Sequence, residues 1–140
     1  MNKYIKLLGF LVFFACLDCK SQDARQEDNL SIKYEAKTRG SSFLMTIENG
    51  KFNFSSSDTK QIKVLSKTQI SKLTELVNEI DLSQINQMEA PSEKRYTDGA
   101  MFAALNITKD NTTYSSVEFD HGNPPKALRS LYAYMISLNE

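Results

Sequence analysis

Polar and apolar residues alternate over residues 31–38, setting Ile32, Tyr34 and Ala36 against Lys33, Glu35 and Lys37. This is the pattern of a strand with one buried face. The runs FLMTIE (43–48) and KFNFS (51–55) flank Asn49-Gly50, a dipeptide favoured in two-residue hairpin turns because both positions take positive φ. Such a loop sets Glu48 opposite Lys51, Ile47 opposite Phe52 and Met45 opposite Phe54. Phe43, Met45, Ile47, Phe52 and Phe54 then share one face, and charge meets charge. Residues 61–65, with Ile62 and Val64 in alternation, form a fourth short strand.

The period then changes. Ser66-Lys67-Thr68-Gln69 is a capping-box pattern, and Ile70, Leu73, Val77 and Ile80, with Leu76 beside them, recur at three- and four-residue steps. That stripe predicts a helix packed on the sheet. Residues 81–88 hold a further short turn through Leu82, Ile85 and Met88, which Pro91 ends. The stretch EAPSEKRYTDG (89–99) has loop chemistry throughout. Residues 100–108 read as a strand apolar on both faces, which suits the sheet interior, and residues 112–120 as its antiparallel partner across Lys109-Asp110-Asn111. Asn123 is placed to cap a last helix with Pro124 at its first position, and Leu128, Leu131, Tyr132, Met135 and Leu138 share its apolar face. The expected fold is one α+β domain over residues 31–140, an antiparallel sheet of about six strands with two helices on one face, in the order β-β-β-β-α-β-β-α.

The amino terminus follows different rules. Lys3 and Lys6 precede an apolar run over residues 7–15, and the small Ala15 stands directly before Cys16. This is a secretory signal layout, and nine residues rise only about 14 Å as a helix, too short for roughly 30 Å of hydrocarbon. Residues 1–15 are therefore expected to be a signal peptide. The Ala15-Cys16 junction resembles a bacterial lipobox, in which the cysteine is acylated and becomes the first mature residue. Cys19 is the alternative lipidation site, since cleavage before it leaves no spare thiol, although Asp18 then occupies a position that favours a small neutral residue. Residues 16–30, rich in charge and amide side chains, suit a solvated tether between lipid and domain. Attachment to the cell envelope, facing periplasm or cell surface, follows from this reading.

Composition removes several function classes. The 140 residues carry 17 Lys plus Arg against 17 Asp plus Glu, and loss of residues 1–15, with two lysines and no acid, leaves 15 against 17. A mildly acidic chain is not a nucleic-acid-binding domain. With one histidine, His121, and both cysteines in the export region, neither a multi-histidine metal site nor a Cys-His nucleophile can be written, and no metal or other cofactor is expected. The five glycines are isolated, so no phosphate-cradling loop, dinucleotide fingerprint or G-x-S-x-G elbow exists.

Strand parity supplies the remaining candidates. With strands one to four as a meander, Arg39, Lys94, Arg95, Asp98, Asp120 and His121 fall at one end of the sheet, and Asn49-Gly50 and Asp110-Asn111 at the other. That rim is a candidate binding site for a polar ligand or a protein partner. A hydrolase reading would draw on His121 and on loop carboxylates such as Glu89, Glu93 and Asp98. An inhibitor-like module that presents a loop end to an enzyme is the third reading.

The blocks YEAKTRGS (34–41), KRYTDGA (94–100) and FDHGNPP (119–125), together with the Cys19-Lys20-Ser21-Gln22 start, resemble small uncharacterised lipoproteins of Bacteroidota. The resemblance spans residues 31–138. It implies envelope location and a compact α+β domain, and it carries no catalytic residues over. The blocks coincide with the rim. Taken together, the expectation is a lipid-anchored envelope protein whose domain binds a small polar ligand or a protein partner without turning it over.

Overall fold

The computed structural model describes residues 29–140, so the signal segment, Cys16, Cys19 and the tether up to residue 28 lie outside the described residues. Seven strands, β1 (Ser31–Lys37), β2 (Ser42–Glu48), β3 (Lys51–Ser56), β4 (Lys60–Val64), β5 (Phe102–Lys109), β6 (Thr112–Ser115) and β7 (Phe119–Asp120), form one sheet. Two helices, α1 (Lys67–Asn78) and α2 (Arg129–Ser137), complete the domain. The sheet order is β4-β3-β2-β1-β5-β6, with β7 beside β5, and every pairing is antiparallel.

The β2–β3 hairpin has the register that its side chains dictate, Glu48 with Lys51, Ile47 with Phe52 and Met45 with Phe54. Asn49 and Gly50 take φ of 51° and 70°. The same turn chemistry recurs at Asp110-Asn111, with φ of 50° and 62°, so Lys109 pairs directly with Thr112. β5 lies inside the sheet between β1 and β6, as its apolar content requires.

Across the sheet, Ile32, Tyr34, Ala36, Met45, Ile47, Phe52, Phe54, Ala103, Leu105 and Ile107 are buried on one face. Leu73, Leu76, Val77 and Ile80 of α1 and its C-terminal end, and Leu131, Met135 and Leu138 of α2 and its C-terminal end, join them in one core. Both helices therefore cover a single face, and among the described residues every buried apolar residue lies within positions 32–138. α1 starts in a complete capping box: the Ser66 hydroxyl accepts from Gln69 N–H at 3.2 Å, and Ser66 N–H donates to the Gln69 side chain at 2.8 Å.

Four details depart from the sequence pattern. β4 is inverted: Gln61 and Lys63 pair with Phe54 and Phe52 on the helix side, which turns Ile62 and Val64 out to solvent, 71% and 81% exposed. The Lys63 ammonium donates to the Leu138 carbonyl at 2.8 Å, so the C-terminal end of α2 accepts the charge that the inverted strand brings in. Ile70 is 38% exposed rather than in the core.

The stretch expected as one strand after the Asp110-Asn111 turn is broken in two. The β5–β6 and β5–β7 registers differ by one residue, a bulge at which Ser116 Oγ accepts from Leu105 N–H at 3.0 Å and donates to the Val117 carbonyl at 2.7 Å. Finally, Asn123 does not cap α2. Its side-chain amide donates to Ser92 Oγ at 2.7 Å, and a short 3-10 turn at Lys126–Leu128 leads into the helix instead.

Candidate functional site

The rim segments do meet at one end of the sheet, because Lys37 pairs with Phe102 and Phe102 with Asp120. Their side chains divide into two groups. Arg95 and Asp120 are buried, 6% and 2% exposed, whereas Arg39, Lys94 and Asp98 are exposed and His121 is half-buried.

Asp120 organises the buried group. Its side chain leaves the sheet on the face away from the helices, opposite Phe119, and the 3-10 turn Lys94–Thr97 closes over it. Oδ2 accepts from Ser92 Oγ at 2.6 Å and Lys94 N–H at 2.8 Å, and Oδ1 accepts from Arg95 N–H at 3.0 Å and Arg95 Nη1 at 3.1 Å. Arg95 Nη1 also donates to the Ser92 carbonyl at 2.6 Å, and the guanidinium lies 4.4 Å from the Tyr96 ring centroid. Burial opposes charge on Asp120, yet the Ser92 hydroxyl, the two backbone N–H groups and the guanidinium outweigh it and hold the carboxyl well below the usual carboxylate range. For Arg95 burial again opposes the charge, and the carboxylate with the Tyr96 hydroxyl raises its affinity for the proton.

The turn closes on Asp98, whose φ of 55° is left-handed, and on Gly99, whose N–H donates to the Lys94 carbonyl at 2.9 Å. A Cβ at Gly99 would lie 3.2 Å from Lys94 Cβ and 3.3 Å from the Lys94 carbonyl oxygen, so the turn admits only glycine without a shift. Loop residues 92–99 are thus spent on covering one carboxylate.

His121 belongs to a second, aromatic cluster on the helix side. Tyr34, fully buried on the central strand, packs against Phe43, Phe119, His121 and Tyr132 with ring centroids 5.9, 6.1, 5.9 and 5.0 Å away. Its hydroxyl lies 2.8 Å from His121 Nδ1 and 3.5 Å from the Gly122 nitrogen. Burial, and then the neighbouring Tyr132, push the Tyr34 phenol up, while burial pushes His121 down. Both rings are then neutral at pH 7.

Asp120 accepts four hydrogen bonds as a fixed anion, and His121 Nδ1 is engaged by a phenol rather than oriented by a carboxylate. Among the described residues, no three His, Cys, Asp or Glu side chains converge into a metal-sized group.

A concave surface lies at the opposite end of the sheet. The flank of α1, the Asn49-Gly50 turn and the entering residues Asn29 and Leu30 enclose a groove of about 1200 Å³. Leu30, Ile47, Ile70 and Leu73 give it an apolar floor, and Asn29, Asn49, Asn78, Glu75 and Glu79 supply polar groups around it. Sequence reasoning missed this site because Ile70 fits the apolar stripe of α1. No local signal marks the difference, since Ile70 keeps the three-residue step to Leu73 that the rest of the stripe uses.

No protein-family model matches the chain, and no curated protein matches it. Among the described residues, no helix is long and apolar enough to cross a membrane.

Proposed function

We propose that this protein is a lipid-anchored component of a bacterial cell envelope, exported through residues 1–15 and acylated at Cys16, or at Cys19 as the alternative, with a folded domain that binds a protein partner without catalysis. The observation that carries the non-catalytic reading is the saturation of Asp120: each carboxylate oxygen already accepts two hydrogen bonds from the domain's own groups. Such a carboxylate holds a loop in place and has no free capacity to move a proton. The resemblance to small lipoproteins of Bacteroidota supports the anchor and the location.

Of the two ends of the sheet, the groove beside α1 is the better binding surface. It joins an apolar floor to a few hydrogen-bonding groups, the combination that recognises a peptide segment or a small amphipathic molecule. Of the six rim candidates, Arg39, Lys94 and Asp98 remain fully exposed to a polar ligand.

A photo-cross-linking amino acid placed at Thr74 in the groove, and separately at Arg39 on the rim, tests the assignment in an intact bacterial envelope. The reading predicts one cross-linked partner from position 74, lost on adding Ile70→Asp, and none from position 39. Cross-links from position 39 alone transfer the binding site to the rim, and none from either position contradicts a protein partner.

A further inference from the structure

The sheet face away from the helices stays open among the described residues: of the strand residues that stand on it, Asp120 is buried and the others are exposed or half-buried. Alternation and register place Lys33 and Lys37 of β1, Lys51 of β3 and Lys60 of β4 on this face, with Glu35 and Glu48 as its acids. Each acid is already matched. Glu35 lies between Lys33, at 2.8 Å, and Lys37, while Glu48 stands directly across from Lys51. Four lysines against two carboxylates leave the face two charges positive, although residues 29–140 as a whole carry 13 Lys plus Arg and 13 Asp plus Glu.

Apolar side chains gather on the same face. Of the five large ones exposed among the described residues, Ile62 and Val64 stand at its β4 margin and Phe102 and Tyr96 at its β5 margin, and Ile70 belongs to the groove. Phe102 and Tyr96 meet edge to face with centroids 5.5 Å apart, and Tyr96 is 62% exposed. Four strand spacings, roughly 19 Å, separate the two margins, and the lysines lie at and between them.

We propose that this face docks on the anionic headgroups of the bilayer that holds the anchor, with the lysines at the phosphates and Ile62, Val64, Phe102 and Tyr96 in the interfacial layer. Charge complementarity selects the occupant. A positive face calls for an anionic surface, and apolar side chains at both margins call for one that also admits them. A lipid surface does both, and tyrosine is enriched at headgroup level. Position agrees with charge. Ser31 stands on this face at the start of β1, so the tether leaves beside it, and the 13 residues from Cys16 to Asn29 have a root-mean-square reach of roughly 20 Å. The proposal rests on the anchored reading for that proximity, and it turns the helical layer, with its groove, away from the bilayer.

The chain has no tryptophan, so Ile62→Trp on the face and Ser130→Trp on α2 each supply a single indole. The test uses residues 16–140 with Cys19→Ser, coupled through the Cys16 thiol to a maleimide lipid in vesicles of brominated phosphatidylglycerol or of brominated phosphatidylcholine. On phosphatidylglycerol, Ile62→Trp is expected to lose at least about half of its emission and Ser130→Trp less than about a tenth, and on phosphatidylcholine both stay bright. Lys51→Glu together with Lys60→Glu, or about 0.5 M NaCl, restores most of the loss. An Ile62→Trp chain that stays bright on phosphatidylglycerol overturns the proposal, and so does equal loss on the two lipids or at the two positions. If soluble polyphosphate rather than vesicles changes the Ile62→Trp emission, the face takes an anionic polymer and the proposal also falls. Because the coupled lipid replaces the natural acyl group, failure here leaves the anchor standing, and missing acylation in cells leaves this result standing. Circular dichroism checks that each variant is folded, as the exposure of all four positions predicts.

Discussion

Asp120 holds Arg95 twice, through the backbone N–H at 3.0 Å and the guanidinium at 3.1 Å, although the two residues are 25 positions apart. One carboxylate thereby fixes both the path of loop 92–99 and the charge that covers it. The Ser92 hydroxyl joins them, donating to Asp120 and accepting from the Asn123 amide, so three segments are tied at one point.

Replacing Asp120 therefore affects stability before anything else. Asp120→Asn leaves the Arg95 guanidinium buried beside a neutral group and is expected to lower the melting temperature on the order of 10 °C. The wild type carries a matching acid dependence. The folded carboxyl lies below its unfolded value, so its contribution is fully present above about pH 4 and is lost as pH falls and the unfolded chain takes up the proton first. Urea titrations between pH 5 and pH 2 should show Asp120→Asn losing less stability across that window than the wild type. Equal losses would contradict the clamp.

The Tyr34–His121 contact predicts two further pH windows of opposite sign. Tyr34 is raised by burial, so its contribution is present below about pH 10 and is lost as pH rises and the unfolded chain ionises first. His121 is lowered by burial, so its contribution is present above about pH 6.5 and is lost as pH falls. Tyr34→Phe should cost about 1 kcal/mol at pH 7 and flatten the alkaline decline, while His121→Phe should flatten the decline between pH 7 and pH 5. Unchanged slopes in both variants would show that these rings do not titrate as described.

The inverted strand makes a sharp contrast between neighbours. Ile62→Thr and Val64→Thr should each change folding stability by less than about 0.5 kcal/mol, because both side chains already face solvent. Phe52→Ala, one strand away and fully buried, should cost about 3–5 kcal/mol. A large loss from Ile62→Thr in dilute solution would mean that β4 pairs one residue out of register.

How far the fold could be read depended on whether neighbouring side chains agreed. In the β2–β3 hairpin the turn residues, the charge pair and the apolar face all point to one register, and that register is found. In β4 they disagree, since alternation alone says that Ile62 and Val64 are apolar and does not say which face they take. Lys63 decides the matter through a carbonyl 75 residues away, which no local pattern reports. The split of the last hairpin strand rests likewise on one hydroxyl, Ser116, replacing a backbone acceptor. The rim was legible as a place, because strand parity fixes which loops are neighbours. That Arg95 and Asp120 consume each other beneath its surface was not legible, because the 3-10 turn that buries them falls within a stretch of loop composition.

The most direct test of the central claim is the intact mass of the chain recovered from the membrane fraction of a bacterial host, as wild type, Cys16→Ser and Cys19→Ser. The account predicts a mature chain that begins at an acylated Cys16, lost in Cys16→Ser and kept in Cys19→Ser; the reverse pattern moves the anchor to Cys19 and keeps the claim. An unacylated chain in the soluble fraction would contradict it.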